Sequence, residues 1–103
     1  MKNIRLALET AVGIAAARLV ELGESPAVVD FICTEGLKLP VPPLSELDRS
    51  GASDKIRKVA QVNKLLGGEP LSVPALLTRM AGANETFFKN GRPNPWLSSN
   101  PGN

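Results

Sequence analysis

The sequence predicts an all-α protein of about five helices within a single small domain spanning residues 1–103. Its parts are an N-terminal helical hairpin (1–36), a Pro-rich extended strap (37–52), a C-terminal trihelical unit (53–92) and an irregular tail (93–103). Three observations predict this. Apolar residues recur at spacings of three and four along several segments, the signature of helices with one inward face. Aromatics are scarce, three Phe, one Trp and no Tyr, so the core must be built from Leu, Val, Ile and Ala. Ser, Pro and Gly stand where helices would start and stop. At 103 residues with 43% apolar and 21% charged side chains, the chain can bury about two-thirds of its unfolded surface.

The first helix is expected over 3–23. Ile4, Leu8, Ala11, Ala15, Leu19 and Leu22 fall on one stripe, which is expected to face the core, and Arg5 and Glu9 form an i,i+4 pair on the outer side. Gly23 stops it. The small residues Ala15, Ala16 and Ala17 allow close approach of another helix, including one from a second subunit, so a homodimer through the hairpin is a possible assembly. Ser25 caps the second helix and Pro26 takes its first position. That helix runs to Gly36, with Val28, Val29, Phe31, Ile32 and Cys33 covering most of its circumference and Asp30 and Thr34 on an exposed strip.

Leu37 to Ala52 breaks the pattern. Pro40, Pro42 and Pro43 remove donors and push their neighbours to extended angles, so Leu37, Leu39 and Val41 are expected to alternate toward the core. Leu44 to Leu47 can make one helical turn. Ser50-Gly51-Ala52 marks the hinge between the halves. Ser53 caps a third helix over 54–66, with Ile56, Val59, Val62 and Leu66 inward and Lys55, Arg57, Lys58, Gln61 and Lys64 outward; Gly67-Gly68 ends it.

Residues 71–91 read as two short helices. Ser72 is a good N-cap, and Leu71 and Leu76 fit the hydrophobic staple. Leu76, Leu77 and Met80 point inward, Gly82 supplies a positive φ, Asn84 caps the next helix, and Phe87 and Phe88 anchor it. With Leu77, Thr78, Gly82, Asn84 and Phe88 at their places, the segment resembles a generic helix-turn-helix. It departs at Thr78, where a smaller residue is usual, and at Ala83, where a larger aliphatic is usual. The resemblance covers about 20 residues, and Gly91-Arg92-Pro93 closes it early. It implies a second helix in the DNA major groove, with Thr86, Lys89 and Asn90 outward on its DNA-binding face, Lys89 and Asn90 as the base-edge readers, and Lys55, Lys58 and Arg92 holding phosphates.

Charge agrees with that placement. Residues 1–47 hold four basic and six acidic side chains, whereas 48–103 hold eight basic and four acidic, so the positive excess lies in the half carrying the motif. A small DNA-binding regulator is therefore the leading expectation. The rival is a protein-interaction protein (inhibitor, adaptor or assembly subunit); Trp96 and Leu97 are expected either to tuck back onto the domain or to anchor such a partner, since Trp is enriched among interface hot spots.

With no His and a single Cys, the inventory excludes a Cys/His zinc site and any His-based catalytic dyad. No cofactor or enzymatic activity is expected. Cys33 sits among apolar residues and is expected to be an inert buried thiol. The charges spread through 2–21 argue against a spanning segment or signal peptide, so the expected setting is the cytoplasm without a membrane partner.

Overall fold

The computed structural model describes residues 2–67 and 71–99. Among these, the elements in order are α1 (Lys2–Glu21), α2 (Pro26–Phe31), α3 (Pro43–Ser50), α4 (Ala52–Leu66), α5 (Ala75–Ala83), β1 (Phe88–Lys89), β2 (Arg92–Pro93) and α6 (Trp96–Ser99). The all-α expectation holds in its coarse form, with one small two-stranded sheet added. Gly68 of the expected helix stop, Glu69-Pro70 and the tail residues 100–103 lie outside the described residues.

α1 is the hub and packs on α2, α3, α4 and α5. Its buried face is Thr10, Gly13, Ile14, Ala16, Ala17 and Val20. The expected inward stripe lies on the other side: Ile4, Leu8, Leu19 and Leu22 are exposed, as is Ala15. The reason is that α1 is apolar around most of its circumference, so periodicity alone does not say which face is inward. Small side chains on the buried face let the neighbouring helices approach, and the larger ones are left outside.

α1 ends as expected at Gly23, whose φ of 112° lets the Gly23 and Glu24 amides return to the Val20 and Leu19 carbonyls. Ser25 then caps α2, its hydroxyl accepting from the Ala27 amide at 3.2 Å, with Pro26 as the first helical residue. α2 widens into a π-helical turn over Ile32–Gly36. Thr34 donates its hydroxyl back to the Asp30 and Phe31 carbonyls, and the Leu37 amide bonds the Ile32 carbonyl five residues earlier. Asp30 corrects the expectation of an exposed residue. It is buried and accepts from the Leu44 amide (2.8 Å), the Ser45 amide (3.0 Å) and the Ser45 hydroxyl (2.8 Å).

That carboxylate explains a second departure. Residues 43–50 are helical rather than extended, because Pro43 suits the first position of a helix and Asp30 supplies the N-terminal acceptor from a distant element. The extended stretch is confined to 37–42, where Leu39 packs against the core while Leu37 and Val41 stay exposed. Gly51, at φ 96°, separates α3 from α4. α4 begins at Ala52, one residue before the expected cap Ser53, buries Val59 and Val62, and ends at Gly67 in the left-handed region. Leu66, expected inward, is exposed.

α5 buries Leu76, Leu77 and Met80, as expected, but starts at Ala75 after Pro74. Its N-terminus is served from α1: the Leu76 amide donates to the Glu21 carboxylate at 2.9 Å, and Arg18 donates to the carbonyl (3.1 Å) and hydroxyl (3.0 Å) of Ser72. The second helix of the motif is absent. α5 runs through Gly82, and the turn is made by Asn84 at φ 57°. Residues 88–93 form an antiparallel hairpin with Phe88 opposite Pro93 and Lys89 opposite Arg92. Asn90 (φ 56°) and Gly91 (φ 76°) make its tip, two successive positive φ values that suit a two-residue loop of the I′ kind. The helix-turn-helix resemblance therefore fails in shape.

Candidate functional site

The expected DNA-reading residues disperse. Lys89, Asn90 and Arg92 share the hairpin tip, with Lys89 paired to Glu85 at 3.7 Å and Arg92 exposed. Thr86 turns inward, its hydroxyl donating to the Phe88 carbonyl at 2.6 Å. The hairpin packs on α2 and takes its amide acceptors from α3, whereas Lys55 and Lys58 belong to α4, which packs on α1, α3 and α5. Lys55 is only 8% exposed, its stem running under Gly13. Burial first, and then the charge of Lys58, holds its pKa below the usual lysine value, against the opposing pull of Asp54, Glu9 and Glu46. Lys58 and Arg57 both pair with Asp54, whose carboxyl is held below the ordinary range chiefly by the Lys58 hydrogen bond. The basic face of α4 is thus part buried and part neutralised.

Trp96 and Leu97 also turn inward. Leu97 is a core residue and Trp96 packs against the core. Their placement is the work of Asn94, buried with its amide donating to Glu85 (2.9 Å) and to the Thr86 carbonyl (2.8 Å). The Asn94 backbone amide reaches the Phe87 carbonyl, and its side-chain oxygen accepts from the Trp96 amide. These residues tie the C-terminal segment down rather than presenting a free anchor. Cys33 is buried as expected, and burial together with the nearby Asp30 charge pushes its thiol pKa up, away from nucleophilic use.

What sequence reasoning missed is the apolar surface. Ile4 (61%), Leu8 (63%), Leu19 (45%) and Leu22 (77%) stand out from α1. Two shallow grooves run along this helix. One, of 410 Å³, lies between Ala11, Ala15, Leu19 and Leu22 on one side and Leu71 and Ser72 on the other. The other, of 280 Å³, lies between Ile4 and Leu8 and the exposed Leu65 and Leu66 at the end of α4. A separate patch is formed by Val28 and Phe31 of α2 with Ile32 of the π-helical turn, at i, i+3 and i+4, with Leu37 and Val41 also exposed in the following segment. The charges bordering α1 already have partners: Arg5 pairs with Glu9, Arg18 serves Ser72 and Glu21 serves Leu76. Among the described side chains of α1, the surface offers hydrophobic burial beside charges that keep their partners within the protomer. No helix among the described residues is long and apolar enough to cross a membrane. No family model, curated protein or solved structure matches this chain.

Proposed function

We propose that this chain is a non-enzymatic interaction protein, a helical subunit or adaptor that works by burying its outward apolar surface against another protein. The observation that carries this reading is the exposed stripe of α1, four large aliphatic side chains on the hub helix at 45–77% exposure. Together they expose on the order of 450 Å² along one stripe of the helix, comparable in size with the largest apolar patch of a typical monomer, which is often functional. The interaction reading was the rival expectation from the sequence; the DNA reading rested on a recognition helix, and a hairpin with two-residue strands occupies its place.

The test is site-specific photocrosslinking in cells, with the photoreactive residue placed at Leu8, at Phe31, or at Arg57 on the polar side. Protein adducts at 8 or 31 and none at 57 are expected. Absence of protein adducts at both apolar positions, with binding of the purified protein to duplex DNA that weakens steeply with salt, would restore the DNA reading instead.

A further inference from the structure

We infer that the partner covering the outward face of α1 is a second copy of this chain, with the two α1 helices antiparallel and crossing at the level of Gly13. This rests on the interaction reading and names the partner. A two-fold interface must be self-complementary, since the same patch serves both copies. In an antiparallel helix pair this requires an apolar pattern that reads the same in both directions. The outward face of α1 comes within one residue of that pattern about residue 13, the Leu8–Leu19 pair being centred half a residue further along the helix. Ile4 then stands opposite Leu22 of the copy, Leu8 opposite Leu19, and Ala11 opposite Ala15. Large residues lie at both ends and alanines at the middle, so the axes can close to a short distance at the crossing point and the long side chains meet beyond it.

The flanks are compatible with the same symmetry. Arg5 and Glu9 lie toward one end of α1 and on one side of the stripe, and Arg18 and Glu21 toward the other end and on the other side. Turned end for end, neither carboxylate meets its own copy, and each is already engaged within its protomer. The area also suffices. The stripe together with Leu65 and Leu66, which border the groove beside Ile4 and Leu8, offers on the order of 600 Å² per copy. About 1,200 Å² for the pair reaches the lower edge of stable specific interfaces.

The experiment is sedimentation equilibrium of the full chain from low micromolar to near-millimolar concentration, paired with cysteine crosslinking. A mass of twice 10.9 kDa is expected, with Leu8→Lys and Leu19→Lys each weakening association by about 100-fold or more while leaving the helical circular dichroism unchanged. For register, Ala11→Cys and Ala15→Cys proteins are oxidised separately and mixed; Cys33, buried and poorly ionised, stays out of the reaction. Crosslinks that form in the mixture and not in either protein alone are expected. Crosslinks in each protein alone would establish a parallel pair and overturn the register. A monomer at every concentration, or dimers indifferent to both lysine substitutions, would overturn the second copy. If adducts to a different protein still form at Leu8, the interaction reading survives that failure; if no protein adducts form there or at Phe31, both fall together.

Discussion

Gly13 on α1 stands directly over the side chain of Lys55 on α4: a β-carbon at position 13 would lie 3.1 Å from the ammonium nitrogen and 3.2 Å from the adjoining methylene. The glycine is not there for backbone freedom, since it lies within a regular helix. It makes room for a buried cation between two packed helices. Gly13→Ala gains helix propensity, about 1 kcal/mol, and loses most of that by pressing on Lys55. In a Lys55→Ala background the same substitution is expected to stabilise by about the full 1 kcal/mol, a coupling readable from a double-mutant cycle in urea. Equal effects of Gly13→Ala in both backgrounds would show that the contact carries no strain.

Lys55 also sets a pH dependence. Its folded pKa lies below the ordinary lysine value of 10.5, because burial penalises the ammonium. Below that folded pKa both states are protonated, and the cost of burying the charge is present in full. Between the folded pKa and 10.5 the unfolded chain binds more protons, so stability rises with pH through that window. Lys55→Met keeps the stem and removes the charge. It is expected to raise stability at neutral pH on the order of 1 kcal/mol and to flatten the alkaline rise. Unfolding followed by Trp96 fluorescence from neutral pH to pH 10 gives both readings; a variant with an unchanged alkaline slope would assign that slope to another group.

Asp48 is the residue on which the hairpin hangs. Its two carboxylate oxygens accept separately from the Phe87 amide (2.8 Å) and the Phe88 amide (2.9 Å), while Phe87 itself is fully buried. Asp48→Asn keeps one acceptor but turns an NH₂ group toward the other amide, at an expected loss of about 1–3 kcal/mol. Hydrogen exchange at Phe87 and Phe88 should accelerate more than at α4. The pH trend adds a check. Burial raises the Asp48 pKa above 3.8 despite the two amides, which pull it down. A raised carboxyl contributes stability that is complete below 3.8 and lost as pH rises through the folded value. The deficit of Asp48→Asn should therefore widen as the solution is acidified through that window, and a deficit independent of pH there would contradict the assignment.

These residues also show what a sequence can and cannot say here. The stops at Gly23 and Gly67 and the start at Ser25-Pro26 are legible because each is settled by its own dihedral angles and nearest amides. The inward residues of α5 are legible for a similar reason, since Leu76, Leu77 and Met80 leave the helix one apolar side. The buried side of α1 is not, because both sides are apolar and the choice is made by how closely α4 and α3 can approach Gly13, Ala16 and Ala17. Asp30 and Asp48 look like ordinary surface carboxylates until distant backbone amides are brought to them, 14 and 39 positions along the chain in their first bonds. The candidate surface of α1 was hidden by the same ambiguity: its residues are those that spacing assigns to the core.

The hairpin is the instructive case, because two local signals compete within one segment. Leu77, Thr78, Gly82, Asn84 and Phe88 match a helical corner, while Asn90-Gly91 is a strong signal for a two-residue hairpin. The hairpin prevails because Pro93 cannot continue a helix and Asp48 is positioned to hold the amides of Phe87 and Phe88. Asn90→Ala separates the two shapes by sign. In the last turn of a helix stopped by Gly91 it would add about 0.5 kcal/mol of stability through propensity. At the observed φ of 56° an alanine side chain is strained, so the hairpin requires a loss of about 1 kcal/mol. Asn90→Gly, which keeps the left-handed angle accessible, should cost less. Thermal unfolding of the two variants beside the parent protein decides it: an Asn90→Ala protein more stable than the parent would reinstate the second helix, and with it the geometric basis for reading DNA.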